Sequence, residues 1–432
     1  MQRDIYIRPR NHKSKMGEKT SNGVCLGIII VIACLLLARD AFGIAINKYI
    51  FLLILVPALL FLREKYVLIL WMFLMPLFVG LPGNYITLII LLRFLVQVIN
   101  GGKLKIYKCP FILTVLLAMF IFTQNIVHEY IGAYYMIFVV ELFVVYFFIT
   151  TDCNNYFPAI MLSYSFGIAM TGIIMLVATL QTYSFSDLLS VATRLGYVGR
   201  TTEMTVIIDP NYYGLFAITA LSCNWQMITK NKYSKKQKAI ALIFSGISIA
   251  VALIGLSRAF ILCFAIWIVL SVLFEKKLSL KMKVVIIGIV CIGIACYLLP
   301  NTVQAIIERF ASNDMQTGNG RTVIFEKIEK QWESSVITML FGIGLFDCNV
   351  HFMQMQYFFG LGIVGAMLML LLGISYWNWM KQKCKRYSVD DLIPIVIIQV
   401  SASSVPTAQS LTFMMPVIIS LIVFGVTTSS EL

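Results

Sequence analysis

The sequence predicts an all-α integral membrane protein with about 14 transmembrane helices, or about 12 if short neighbouring runs belong together. Of the 432 residues, 60% are apolar and only 12% are charged, which is too little polar surface to cover a soluble domain of this size. The apolar residues form long runs, and Lys and Arg cluster in the short segments between them. Residues 1–432 are therefore predicted to form a single polytopic membrane domain.

Each predicted span is a mostly apolar run that approaches the length of about 20 residues needed to cross the hydrocarbon core. The first half of the chain contains such runs at 24–37, 44–62, 66–81, 84–99, 110–127, 131–150 and 156–180. The second half contains runs at 212–229, 239–256, 259–274, 284–299, 354–380, 392–405 and 410–426. Several runs are short or adjoin the next one, so the predicted number of spans ranges from 12 to 14.

The distribution of cations predicts the orientation, because short cytoplasmic loops are enriched in Lys and Arg. With the N-terminus inside, a basic tail at 1–23 and five inward connections carry most of the 34 Lys and Arg residues. The cations of the connections are Arg63, Lys65, Lys103, Lys105, Lys108, Lys230, Lys232, Lys235, Lys236, Lys238, Lys276, Lys277, Lys281, Lys283, Lys381, Lys383, Lys385 and Arg386. Both termini are therefore predicted to be cytoplasmic.

Charge and motif content narrow the function classes further. The net charge of +14 reflects the topology and favours anionic lipid headgroups, so membrane lipids are expected partners and nucleic acid is not. The first apolar run lacks a small-residue cleavage site, so no cleavable signal peptide is expected. Only Cys348 of the ten cysteines lies in a long outward loop, so no outward disulfide is expected.

The sequence also contains no Walker loop, HExxH pair or Asp-x-Asp pair. The missing Walker loop argues against an ATP-driven pump. The missing acidic pair argues against a metal-dependent enzyme that uses nucleotide sugars. No cofactor and no metal are therefore expected.

Two predicted outward loops, 181–208 and 301–350, are too long to be simple connections. In the second loop three apolar residues recur at four-residue spacing: Ile324, Ile328 and Trp332. This spacing predicts an amphipathic helix over 321–335 that lies at the membrane interface. A helix that packs on the bundle without touching substrate is equally compatible with the spacing.

Arginines on the outward side require an explanation, because positive charge is selected against there. They are Arg194, Arg200, Arg258, Arg309 and Arg321. Arg258 lies between two apolar runs with almost no loop, and its planar fork of donors matches a carboxylate or a phosphate. An anionic ligand is one interpretation. A structural ion pair with Glu203, Asp209 or Glu308, or snorkelling to lipid headgroups, is the other.

Polar residues elsewhere on the outward side are further candidates for the functional site. Asp209 precedes Pro210, which predicts that its carboxylate caps the next span, with catalysis as the alternative. Asp209 and Glu203 are also candidates for substrate binding. The glycines of 342–344 and 360–365 predict close helix approach or a bend. His351 lies between them and is a candidate general base or sugar contact, or an interface histidine without such a role.

In their order and spacing these segments resemble the O-antigen polymerase and O-antigen ligase superfamily of bacterial polysaccharide assembly. The resemblance covers about 200–365 and rests on Arg200, Asp209-Pro210-Asn211, Ser257-Arg258, Gly320-Arg321, Phe341-Gly342-Ile343-Gly344 and His351. It implies inverting glycosyl transfer on the outer face of the bacterial cytoplasmic membrane. The implied donor is a glycan on undecaprenyl pyrophosphate, used without nucleotide or metal.

The resemblance also implies residue roles and partners. Arg258, Arg200 and Arg321 would stabilise the departing pyrophosphate, and His351 would act as a base or contact the acceptor hydroxyl. The expected activity is polymerisation of lipid-linked repeat units into O-antigen, capsular or exopolysaccharide, with a flippase and a chain-length regulator as candidate partners.

Two other functions stay open. A ligase would transfer the finished glycan to another acceptor. A lipid-linked oligosaccharide flippase or other secondary transporter would show interrupted spans and charges at mid-membrane depth. Arg93 and Glu141 are the candidate charges for this alternative.

Overall fold

The structure is a computed structural model that describes residues 18–99, 106–150, 156–184, 209–230, 233–255, 257–274, 278–298, 300–311, 321–350, 352–383 and 389–403. These ranges are all-helical and contain no β-strand, which confirms the predicted fold class at this level. The predicted span 410–426 lies outside the described residues. All the other predicted runs contain a helix.

The described residues form 16 α-helices. The first seven are α1 (Glu18–Leu36), α2 (Ile50–Phe61), α3 (Glu64–Leu74), α4 (Gly83–Ile99), α5 (Lys108–Val127), α6 (Ala133–Thr150) and α7 (Phe157–Leu180). The later helices are α8 (Pro210–Thr229), α9 (Lys235–Ile254), α10 (Arg258–Phe274), α11 (Leu278–Leu298), α12 (Pro300–Ala311), α13 (Arg321–Trp332), α14 (Val336–Phe341), α15 (Met353–Lys383) and α16 (Ile393–Ala402).

Long apolar helices indicate that this is a membrane protein. Within the described ranges, five segments are long and apolar enough to cross a bilayer, judged by length and composition alone: Thr20–Ala41, Lys108–Val127, Phe157–Leu180, Lys235–Ile254 and Met353–Trp379. Other predicted spans form shorter helices. Helices α2 and α3 have 12 and 11 residues, and reach about 16–18 Å against a hydrocarbon core of about 30 Å.

Proline explains the short length of α3. The chain continues past α3 as a 3-10 helix, Met75–Gly80, in which Pro76 stands near the start. Proline has no backbone N–H to donate to the preceding turn, so the α-helix ends there. The sequence predicted one continuous span over 66–81, and the structure divides it into two pieces.

A buried ion pair lies at the C-terminal end of α1. The helix ends in a π-helical turn, Leu37–Ala41, in which Arg39 Nε lies 2.6 Å from Asp40 Oδ1 and Arg39 Nη2 lies 2.7 Å from Asp40 Oδ2. Arg39 Nη2 also donates to the Gly80 carbonyl at 2.5 Å. Arg39 and Asp40 are 8% and 4% exposed. The sequence analysis did not predict a charged pair inside the bundle.

Helix α7 lies at the centre of the packing, against α3, α8 and α9. A Cβ atom added at Gly167 would overlap the Phe73 carbonyl oxygen, so α3 can approach only because this residue is glycine. Asn224 of α8 donates to Ser165 Oγ of α7 at 2.9 Å and to Ser245 Oγ of α9 at 2.8 Å. Buried hydrogen bonds of this kind tie apolar helices together in a fixed register.

Polar contacts distinguish the two ends of the bundle. At one end Lys230, directly after α8, pairs with Asp391, directly before α16, with Nζ and Oδ1 3.2 Å apart. At the opposite end Gln354 donates to Gln399 Oε1 at 3.2 Å and accepts from the Ser403 hydroxyl at 3.1 Å. Helix α9 begins near Lys230 and extends toward the opposite end of the bundle, where Arg258 follows it in the chain. The two ends of the bundle are therefore called the Lys230 end and the Arg258 end.

Arg93 has a local structural role. Its Nη1 donates to the Leu59 carbonyl at 2.5 Å and to the Leu60 carbonyl at 2.9 Å, at the C-terminal end of α2. A cation at this position satisfies terminal carbonyls and opposes the negative end of the helix dipole. This contact accounts for Arg93 without transport. Glu141 is buried in α6 at 9% exposure.

The 301–350 segment is largely helical. Helix α13 begins at Arg321 as predicted and ends at Trp332, earlier than predicted. Ile328 and Trp332 are buried in a second apolar cluster with Phe359 of α15, whereas Ile324 is 39% exposed. The face that includes Ile328 and Trp332 therefore packs on the bundle.

Helix α12 is a second amphipathic helix in this segment, and the sequence analysis did not predict it. Its apolar residues follow a spacing of three and four: Val303, Ile306, Ile307 and Phe310. That spacing places them on one side of a helix, with Gln304 and Glu308 on the other.

Candidate functional site: a polar corner at the Arg258 end

The site begins at the N-terminus of α8. The Asp209 carboxylate accepts a hydrogen bond from the Asn211 backbone N–H, with Oδ1 and N 2.8 Å apart. Pro210 fills the first helical position, where its missing N–H leaves no hydrogen bond unmade. The predicted capping role of Asp209 is confirmed.

The start of α10 packs directly on the start of α8. Ser257 is fully buried; its hydroxyl donates to Asn211 Oδ1 at 3.2 Å and accepts from the Phe260 backbone N–H at 3.2 Å. Gly214 makes room for this contact, because a Cβ there would lie 2.8 Å from Phe260 Cβ and 3.1 Å from Ser257 Oγ. Two polar segments that are 46 residues apart in the chain therefore meet.

Arg258 is held in this arrangement. It is the first residue of α10 and is half-buried. Helix α16 packs against both α8 and α10. We define the polar corner as Asp209, Asn211, Ser257 and Arg258. A guanidinium fixed at the end of an apolar bundle can bind a carboxylate or a phosphate through paired N–H donors.

The other candidate residues are described incompletely. Three of them lie outside the described residues: Arg200, Glu203 and His351. The structure describes only the backbone of Arg321, which begins α13. The structure thus brings the neighbourhoods of Asp209 and Arg258 together, and the roles of the other four residues stay predictions.

A second feature near the Arg258 end is a break in α15. Gly362 has φ 65° and ψ −176°, so the helix is interrupted there. The carbonyl of Phe359 accepts from the Ile343 backbone N–H at 3.1 Å, and that of Gly360 accepts from the Gly344 N–H at 3.1 Å. The break in α15 thus frees these two carbonyls from the helix, and backbone N–H groups of the segment after α14 donate to them. The bend predicted from the glycines is present at Gly362.

Gln124, near the end of α5, also makes hydrogen bonds at this break. Its Nε2 donates to the Gly360 carbonyl at 3.0 Å and to the Phe341 carbonyl. Gln124 is 7% exposed, and its Oε1 has no hydrogen-bond partner among the described residues. Gln124 was not among the residues predicted from the sequence. A polar pair, Gln124-Asn125, at the end of an otherwise apolar run was the signal that could have identified it.

Cys348 also differs from its expected setting. It was placed in an outward loop, yet its side chain is fully buried in the second apolar cluster, and it is a free thiol. Burial raises the pKa of the Cys348 thiol to about 12. The thiol is therefore neutral at physiological pH and serves packing.

Comparison with known proteins adds no relative to this picture. No protein-family model matches the chain, and neither the curated proteins nor the solved structures gave a match. Among the described residues, no group of three or more His, Cys, Asp and Glu side chains is placed to hold a metal ion. The polar corner itself contains a guanidinium, a carboxylate, an amide and a hydroxyl.

Proposed function

We propose that the chain is a glycosyltransferase of the bacterial cytoplasmic membrane. It polymerises undecaprenyl-pyrophosphate-linked oligosaccharide repeat units into O-antigen, capsular or exopolysaccharide. The observation that supports this most is the polar corner, where Arg258 begins α10 directly after the Ser257–Asn211 contact at one end of an apolar bundle. A cation in this position suits a substrate that carries a pyrophosphate on a membrane lipid.

The proposed topology has about 14 spans with both termini in the cytoplasm. The Lys230 end faces the cytoplasm, and the Arg258 end faces outward. The order of elements supports this orientation, because Lys230 and the lysines that begin α9, Lys235 and Lys236, share one end. Short cytoplasmic connections are where such lysines are found. Helices α2 and α3 are then parts of spans that 3-10 turns and loops complete.

The proposed reaction is an inverting transfer. The acceptor hydroxyl forms a bond to the anomeric carbon as the bond from that carbon to the pyrophosphate oxygen breaks, and the hydroxyl proton passes to a base. Negative charge grows on the leaving pyrophosphate, and Arg258 stabilises it there. Arg200 and Arg321 are proposed as further phosphate contacts, Glu203 as a substrate contact and His351 as the base. Asp209 shapes the site by capping α8.

The test is the glycan profile of strains carrying single variants, with membrane levels of the protein measured in parallel. Arg258→Ala is expected to abolish long chains while single lipid-linked repeat units persist on the outer face. Arg258→Lys is expected to restore little, because an ammonium cannot form the paired hydrogen bonds of a guanidinium. Lys236→Ala is the matched control, since this exposed lysine lies at the Lys230 end. An unchanged ladder for Arg258→Ala would contradict the assignment.

A flippase is the second candidate, and the break in α15 at Gly362 is the observation that favours it. Interrupted helices line the substrate sites of many secondary transporters. In that case the variants would leave repeat units on the inner face. A ligase would use the same chemistry as the polymerase, but its loss would leave polymerised glycan on the carrier lipid.

A further inference from the structure

Unusual backbone conformations are concentrated where the α5–α6 turn meets the segment after α14. Of the five left-handed residues in the described ranges, four lie here: Glu129 (φ 60°), Gly342 (φ 83°), Gly344 (φ 98°) and Gly362 (φ 65°). Glu129 is the one that is not glycine. Left-handed non-glycine backbone is strained, and such strain collects at binding sites.

Gly344 brings a histidine onto this backbone. A Cβ atom at Gly344 would lie 3.2 Å from the ring of His128, so only glycine lets the ring approach. His128 is half-buried and stacks on Tyr130, with ring centres 5.9 Å apart and planes 18° apart. His128 is thus fixed in place with part of its ring accessible.

A tyrosine and a carboxylate face each other beside this histidine. The Tyr130 hydroxyl is buried and lies beside the Asp347 carboxylate. Burial, followed by the neighbouring Asp347 carboxylate, raises the pKa of Tyr130 above its ordinary value. Asp347 itself is exposed, as is Asn349 two residues later. The junction therefore presents polar groups that can exchange hydrogen bonds with a ligand.

Aromatic rings surround these polar groups. Phe346 makes edge contacts with Tyr130 and Tyr135, at centre distances of 5.6 and 4.7 Å. All three rings are half-buried. Tyrosine combines a flat apolar face with a polar tip, so such a cluster can pack on the C–H face of a sugar ring while carboxylate and amide groups bind its hydroxyls.

The charge of the junction separates it from the polar corner. In 128–135 and 342–350 the charged residues are Glu129 and Asp347, both acidic. Acidic groups repel phosphate, so the junction suits a neutral ligand, whereas Arg258 suits an anionic one. The two sites lie at the same end, because Gln354, at the start of α15, hydrogen-bonds Gln399 of α16, which packs on α8 and α10.

We infer that this junction, formed by His128, Tyr130, Tyr135, Phe346, Asp347 and Asn349, binds a neutral sugar ring of the acceptor repeat unit. The inference rests on the proposed function, since it assigns one half of the substrate to each site. The pyrophosphate of the donor lies at the polar corner, and the hydroxyl-bearing ring of the acceptor lies at the junction.

The test uses the purified full chain in lipid nanodiscs and an oligosaccharide released by mild acid from the strain's own repeat units, so that the probe carries no pyrophosphate. Binding is titrated by saturation-transfer NMR. Asp347→Asn is expected to weaken binding about tenfold, as loss of a hydrogen bond to a charged group does. Glu333→Gln, which alters another exposed carboxylate of the 301–350 segment, is the control and is expected to bind like the wild type.

Arg258→Ala distinguishes the two proposals. Arg258→Ala is expected to bind the pyrophosphate-free oligosaccharide as the wild type does. His128→Gln is expected to bind it more weakly. Melting temperatures are measured to confirm that each variant is folded. Equal binding by Asp347→Asn and the wild type, or no binding by the wild type, would overturn the inference while the glycan profiles could still support the polymerase. Asp347-dependent binding in a chain whose Arg258→Ala strain still makes long glycan would support the sugar site and contradict the role proposed for Arg258.

Discussion

Replacing Gly362 by alanine should destabilise the whole Arg258 end. Its φ of 65° and ψ of −176° belong to a region that is open essentially to glycine alone, which costs another residue about 1–3 kcal/mol. The added Cβ would also overlap the backbone nitrogen of Gly342 and lie 2.6 Å from the Leu340 carbonyl oxygen. Backbone atoms cannot rotate away as side chains do, so overpacking adds about 1–3 kcal/mol. The expected total is about 2–6 kcal/mol.

Gly373→Ala is the matched control in the same helix. Gly373 is exposed and has nothing within 4 Å of an added Cβ, so alanine should be neutral or stabilise the helix by up to about 1 kcal/mol. The assay is thermal unfolding of both purified variants in detergent, followed by the fraction of protein that stays monodisperse. Gly362→Ala should melt about 2–7 °C below the wild type. Equal melting temperatures for the two variants would refute the break in α15.

Four further predictions test separate contacts, the first three by thermal unfolding and the fourth by thiol labelling. Asp209→Ala should lower stability by about 1 kcal/mol through loss of the α8 cap, and Asp209→Ser should restore most of it. Arg93→Met should destabilise by about 1–3 kcal/mol, because it leaves the carbonyls that end α2 unpaired; loss of function at unchanged stability would instead favour transport. Asp40→Asn should cost about 3–5 kcal/mol and more than the double change of Arg39 and Asp40 to Leu, because it leaves a buried charge unpaired. Cys348 should resist maleimide at pH 8 until the protein unfolds. Its raised pKa stabilises the fold at neutral pH, and this contribution is lost as the pH rises above about 9, where the unfolded thiol ionises.

The sequence was sufficient to predict the features that depend on local composition. Apolar runs gave the helical membrane class, Asp209 before Pro210 gave the α8 cap, and the glycines near 342–365 gave the bend. Each of these follows from the chemistry of a few neighbouring residues. Helix capping and left-handed backbone need only local information.

Features that depend on distant contacts could not be predicted in this way. Arg39 and Asp40 looked like part of a connection, and their burial depends on Gly80 of a different element. The polar pair Gln124-Asn125 is visible in the sequence, but the Gly360 carbonyl as the partner of Gln124 depends on the distant break in α15. Apolar content likewise cannot show whether a run forms one long helix or two short ones, and at 66–81 a proline decided the outcome.

The most direct test of the proposed function is chain extension by the purified protein in liposomes, supplied with isolated undecaprenyl-pyrophosphate-linked repeat units and EDTA but no nucleotide. We expect a ladder of lipid-linked glycans with the wild-type chain and with Lys236→Ala, and unextended single units with Arg258→Ala. A wild-type chain that leaves the units unextended, while membranes from the same strain extend them, would contradict the proposed function.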